Sequence, residues 1–112
     1  MMKIRPPVVV LLALFLSACG IPVPPEKADY VGEWRAVGMD LVITADGSVE
    51  YRRSSGGISK SVNGPIKEFR GDDFVVGILF LTTTFEVSQT PHQVDGMWKM
   101  VVDGVELTRV WP

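Results

Sequence analysis

Cysteine and histidine each occur once in the chain, at Cys19 and His92. Nucleophilic catalysis needs a base held beside the nucleophile, and a zinc site needs several thiolate, imidazole or carboxylate ligands in one place. His92 follows Pro91 in a stretch, Ser88–Gln93, that reads as a loop, and no serine stands in a nucleophile-elbow context. Asp72-Asp73, with Asp40 or Asp46, offers oxygen ligands for a hard cation, yet the spacing of a calcium loop is missing. Two acids after Gly71 are ordinary turn residues. No carboxylate pair is singled out for glycoside chemistry. These residue types predict a protein that is not an enzyme, with no metal site and no cofactor.

One stretch is locally basic and flexible: Arg52-Arg53, then Ser54-Ser55-Gly56-Gly57, then Lys60. It reads either as the solvated end of a hairpin or as a partner-binding loop made of Arg52, Arg53, Ser54, Ser55 and Lys60.

Cys19 has a specific context. Lys3 and Arg5 precede the wholly apolar run Val8–Leu16, and Leu16-Ser17-Ala18-Cys19 follows at once. Nine residues make about 14 Å of helix, too short for a ~30 Å hydrocarbon core. A positive start, a short apolar run and small residues are the pattern of an export signal. Leu16–Cys19 resembles the lipobox of bacterial lipoproteins. The resemblance implies removal of residues 1–18, a diacylglyceryl group on the Cys19 sulfur and, usually, an acyl group on its amine. Two or more acyl chains hold a protein stably on a membrane, where one does not. Gly20, rather than an aspartate, follows the cysteine, which in enterobacteria-like sorting implies the periplasmic face of the outer membrane.

Removing residues 1–18 takes away Lys3 and Arg5 and no carboxylate, so the net side-chain charge moves from −2 to −4. That balance excludes the basic footprint of a nucleic-acid-binding protein. It also argues against electrostatic adhesion to anionic lipid. With its one thiol consumed by lipid, the body has no disulfide and depends on its aromatic and aliphatic core.

The division of the chain follows: residues 1–18 a signal peptide, 19–29 a lipidated N-terminus with a proline-rich linker, 30–112 one folded domain. Pro22, Pro24 and Pro25 favour an extended polyproline conformation, and ten such residues would hold the domain up to ~30 Å from the bilayer. From Tyr30 onward the apolar residues alternate. Met39–Ala45 and Ser48–Arg53 flank Asp46-Gly47, and Met97–Val102 and the segment after Val105 flank Asp103-Gly104; both read as tight hairpins. Ile58–Val62 and Ile66–Phe69 read as short strands separated by an Asn63-Gly64-Pro65 turn. Phe74–Leu81 is apolar on both faces and reads as a doubly buried strand or a short buried helix, with strand favoured by its β-branched and aromatic content. Seven or eight short strands and no good amphipathic helix predict an all-β fold, a small and mostly up-and-down antiparallel barrel.

Gly32-Glu33-Trp34 at the start of the first strand is similar to the G-x-W motif of lipocalins and other calycins. In that family the tryptophan packs at the closed end of the barrel under an arginine from a late strand. Arg109, in phase with Leu107 and Trp111, matches that position. The resemblance makes Gly32, Trp34 and Arg109 markers of fold rather than ligand contacts. The Ser/Gly-rich stretch and Lys60 also resemble, loosely, the loop and lysine with which membrane-bound lysozyme inhibitors meet an acidic enzyme cleft. Three roles fit these readings. The first is a structural or protein-interaction module on a lipid tether, with an envelope protein as partner. The second is a carrier or sensor of a small apolar ligand inside the barrel. The third is a lysozyme-inhibitor-like protein.

Overall fold

The computed structural model describes residues 20–111; the expected signal peptide and Cys19 lie outside them. The described chain is almost entirely antiparallel β. Nine strands follow one short 3-10 helix, Pro25–Tyr30: β1 Gly32–Ala36, β2 Met39–Ile43, β3 Ser48–Ser55, β4 Ile58–Arg70, β5 Asp73–Ile78, β6 Leu81–Phe85, β7 Val87–Val94, β8 Met97–Val102 and β9 Val105–Trp111. They form one sheet in the order β6-β5-β4-β3-β2-β1-β9-β8-β7. Every sequential neighbour pairs except β6 with β7, and β1 pairs with β9. The sheet is therefore an up-and-down barrel wall left open between β6 and β7: a half-barrel, where the sequence predicts full closure.

The two hairpins read from Asp46-Gly47 and Asp103-Gly104 are present. Met39–Ile43 pairs residue for residue with Val49–Arg53, and Val102 pairs with Val105 across a turn in which Asp103 and Gly104 both take positive φ. Alternation delivers Met39, Leu41, Ile43, Val49 and Tyr51 to the concave face, all buried.

Four local expectations are corrected. Asn63-Gly64-Pro65 is not a turn: Ile58–Arg70 is one strand of 13 residues. Its first part pairs with β3 as far as Ser48↔Pro65, and its last part pairs with β5 from Ile66↔Val76. Proline is tolerated there because the strand changes partner at that point, with a bulge beside it. Ser54-Ser55 is strand rather than loop, and only Gly56-Gly57 turns. Ser88–Gln93 is not a loop but part of edge strand β7, broken by register shifts around Gln89 and His92. An edge is where a sheet accepts a residue like Pro91. Finally, Phe74–Leu81 is neither one strand nor a helix. Phe74, Val75 and Val76 are buried as its composition predicts, but the chain reverses at Leu79-Phe80 into β6. Splitting this run and gaining β7, while merging two strands into β4, accounts for the count of nine.

The concave face is filled by side chains of the chain itself. Trp34, Phe74, Phe85, Leu41, Ile43, Ile66, Met100 and Leu107 are all under 2% exposed. Phe74 and Phe85 stack at 5.0 Å between ring centroids, and Tyr51 of β3 meets Phe85 of β6 edge-on at 4.9 Å. Aromatic pairs in these geometries add to the burial term. The Tyr51–Phe85 contact bridges strands that β4 and β5 separate in the sheet. At the open seam, Asp73 accepts a hydrogen bond from the Val87 amide, and Asp103 exchanges bonds with the Glu86 backbone.

Candidate functional site

The residues singled out in the sequence fall into three places. Gly32, Trp34 and Arg109 come together at one end of the half-barrel. Trp34 and Arg109 are cross-strand partners on β1 and β9, and the guanidinium lies 5.5 Å from the Trp34 ring and 4.7 Å from that of Trp98. A cation between two indoles gains roughly 0.5–2 kcal/mol per ring, most where water is excluded. The same guanidinium donates hydrogen bonds to the carbonyls of Asp29 at 3.3 Å and Val31 at 3.1 Å. The Trp34 indole N–H donates to the Tyr30 carbonyl at 2.9 Å. These groups hold the 3-10 helix over the end of the core.

The sequence missed the other half of this plug. Tyr30 is 3% exposed, sits edge-on to Phe69 and Phe74, and donates its hydroxyl to the Asp72 carbonyl at 2.8 Å. Burial, with the nearby carboxylates of Asp72 and Asp73, pushes its phenol up to about 12. Lys27, three residues earlier and so on the same side of a 3-10 turn, donates to the Gly71 carbonyl at 2.7 Å and lies near the Tyr30 and Phe69 rings. No local sequence signal marks Lys27, because its partners lie more than forty residues away.

Asp72 and Asp73 thus serve structure. Asp72 pairs with Lys27 at 3.7 Å, and Asp73 caps the Val87 amide. Asp40 and Asp46 are elsewhere: Asp40 pairs with Arg35, and Asp46 accepts from Thr44 in the β2–β3 turn. Among the described residues no group of three or more His, Cys, Asp or Glu is placed to hold a metal ion. His92, on edge strand β7, has Nδ1 2.7 Å from the Thr90 carbonyl.

The basic stretch is divided by strand alternation. Arg53 and Lys60 are cross-strand partners on the face that carries Met39 and Tyr51, near the mouth of the half-barrel. Ser55 lies on that face too, at the hairpin end. Arg52 and Ser54 point to the opposite, convex face, where Ser54 faces Ser59 at 3.4 Å. Arg52 there joins two polar rows that the register builds across four strands: Glu33–Val42–Glu50–Asn63 and Arg35–Asp40–Arg52–Ser61. These rows line a shallow cleft of about 240 Å³. Arg35 is held by Glu33 at 2.8 Å and Asp40 at 3.3 Å, whereas Arg52 has no ion-pair partner among the described residues. The cleft presents the Arg52 guanidinium, the carboxylate of Glu50, and the hydroxyl and amide of Ser61 and Asn63 in fixed register. A twisted sheet presents such groups rigidly, which lowers the entropy lost on binding.

Comparison with known protein families, with characterised proteins and with solved structures finds no match to this chain.

Proposed function

We propose that the chain is a lipid-anchored envelope protein whose half-barrel is a protein-interaction module. The anchor rests on Leu16-Ser17-Ala18-Cys19 and the apolar run before it. The observation that carries the module reading is the filled interior: Trp34, Phe74, Phe85 and Leu41 occupy the space in which a carrier would hold its ligand. Groups able to recognise a partner lie outside, with Arg52 and Glu50 at the centre of the polar rows. A partner offering a carboxylate to Arg52 and a cation to Glu50 fits this face. The outer membrane, on its periplasmic side, is the proposed location.

Mass spectrometry of the purified mature protein tests both parts. Under denaturing conditions the chain should begin at Cys19 and carry the mass of diacylglycerol and an acyl chain; an unmodified Cys19 would refute the anchor. Under native conditions the folded protein should add nothing further. A retained mass of a few hundred daltons, lost on denaturation, would refute the packed module in favour of a carrier.

A further inference from the structure

The β5–β6 hairpin ends in four consecutive apolar residues in water. Ile78, Leu79, Phe80 and Leu81 are 63%, 73%, 85% and 73% exposed. Single exposed apolar residues are common on protein surfaces, but a tight turn made of them is not. Two-residue turns favour glycine, asparagine or aspartate, and Leu79 occupies the left-handed region at φ +58°. The tip thus has an unfavourable backbone and an unfavourable surface at the same place.

Its surroundings are uniform in chemistry. No charged residue occurs from Phe74 to Phe85, and Thr82, Thr83 and Thr84 follow the tip on β6. The charged group seated beside the tip is Lys67, whose ammonium donates to the Leu79 carbonyl at 2.8 Å. An apolar point with a cation beside it and hydroxyls behind it suits the boundary between acyl chains and phosphate headgroups, to which a lysine can reach.

The location of the N-terminal segment supplies the second argument. The expected free spacer is absent. Val23 packs against the core and donates its amide to the Ala45 carbonyl at 3.0 Å, and the helix follows at Pro25. Gly20 lies on Pro65 of β4, so close that a Cβ there would meet the Pro65 Cβ at 2.7 Å. The neighbouring Gly64 faces Gly77 of β5, and Ile78 begins the tip. Gly20, which follows Cys19 in the sequence, thus lies on β4, the strand next to β5, whose end carries the tip.

We propose that the Ile78–Leu81 tip inserts into the bilayer surface beside the acylated Cys19, as a second contact that fixes how the half-barrel lies on the membrane. The proposal rests on the lipid-anchor reading of Cys19. Four side chains on a narrow projection bury far less than the ~1,200–2,000 Å² of a stable protein interface, and a bilayer needs no complementary shape. Once Cys19 is anchored, insertion of the tip is an intramolecular event at high effective concentration.

The mature lipoprotein has no free thiol, so Phe80→Cys gives a single site for an environment-sensitive nitrobenzoxadiazole label. Phe80 is 85% exposed, and the exchange leaves the core untouched. The labelled protein is reconstituted in vesicles of phosphatidylethanolamine and phosphatidylglycerol. Emission should shift to the blue and be quenched several-fold by lipids with a doxyl group on the acyl chain, while the same label at Asp95→Cys, in the β7–β8 turn, stays in water. Mass measurement on the same sample separates the two ideas. An acylated Cys19 with an unquenched Phe80 label overturns the tip contact and leaves the anchor standing. A non-acylated Cys19 overturns the anchor, and the proposal with it. A blue shift without doxyl quenching, with a dimeric mass in detergent, overturns the proposal in favour of a second copy covering the tip.

Discussion

Arg109 ties the last strand to the segment before the first. Its guanidinium lies between two indoles and answers two carbonyls of the segment leading into β1. Arg109→Ala removes the cation and leaves the Val31 carbonyl without this donor, so we expect a loss of about 1–3 kcal/mol in urea unfolding. Arg109→Lys should recover little, because a point charge cannot stack and reach two acceptors at once. An unchanged midpoint in the alanine variant would mean that the contact is incidental. Tyr30 makes stability depend on pH at the alkaline end. Its folded pKa of about 12 exceeds the ordinary 10 because burial, then Asp72 and Asp73, disfavour the phenolate. Below pH 10 both folded and unfolded chains hold the proton and nothing is lost. As pH rises from 10 to 12 the unfolded chain releases its proton first, so the folded state loses about 2 kcal/mol across that window. Tyr30→Phe should flatten this step in a plot of unfolding midpoint against pH, and a step of the same size in the variant would assign it to another group.

The N-terminal segment is a structural element rather than a leash. Gly47 shows how closely it is fitted: a Cβ at that position would come within 1.8 Å of the Ile21 carbonyl oxygen, and φ is +91°. Gly47→Ala should therefore push Ile21–Val23 off the β2–β3 turn. We expect faster protease cleavage between Ile21 and Tyr30 and a melting temperature several degrees lower; a variant as resistant as the parent would show that the segment docks without needing this approach. The sequence made other elements plain. Asp46-Gly47 and Asp103-Gly104 state their turns locally, because the positive φ at Gly47, Asp103 and Gly104 is a property of the turn residues themselves. Gly32, Trp34 and Arg109 are grouped by the resemblance to the calycin motif, and the register makes Trp34 and Arg109 cross-strand partners. Pro22, Pro24 and Pro25 were misleading because proline fixes φ but says nothing about what the extended chain will lie against. Phe74–Leu81 was misleading for the opposite reason: apolar residues announce burial, and here half of them are exposed. Lys27 and Tyr30 could not be read at all, since their roles exist only once the β4–β5 turn is brought to them.

At the scale of the whole molecule, the sheet consists of two meanders, β1–β6 and β7–β9, whose one ladder in common is β1 with β9. Each meander is made of neighbours in sequence, so its contacts close short loops, while the β1–β9 ladder closes a loop of most of the domain. The packed interior belongs to both: Phe74 and Phe85 come from one, Met100, Val102 and Leu107 from the other. A chain delivered N-terminus first can therefore pair β1 through β6 early, yet its first strand keeps one side vacant until the ninth arrives. Under the proposed export, in which the chain crosses a membrane unfolded, the β1–β9 ladder would be the last to form, and the domain would not lock inside the pore before the residues that complete it had passed.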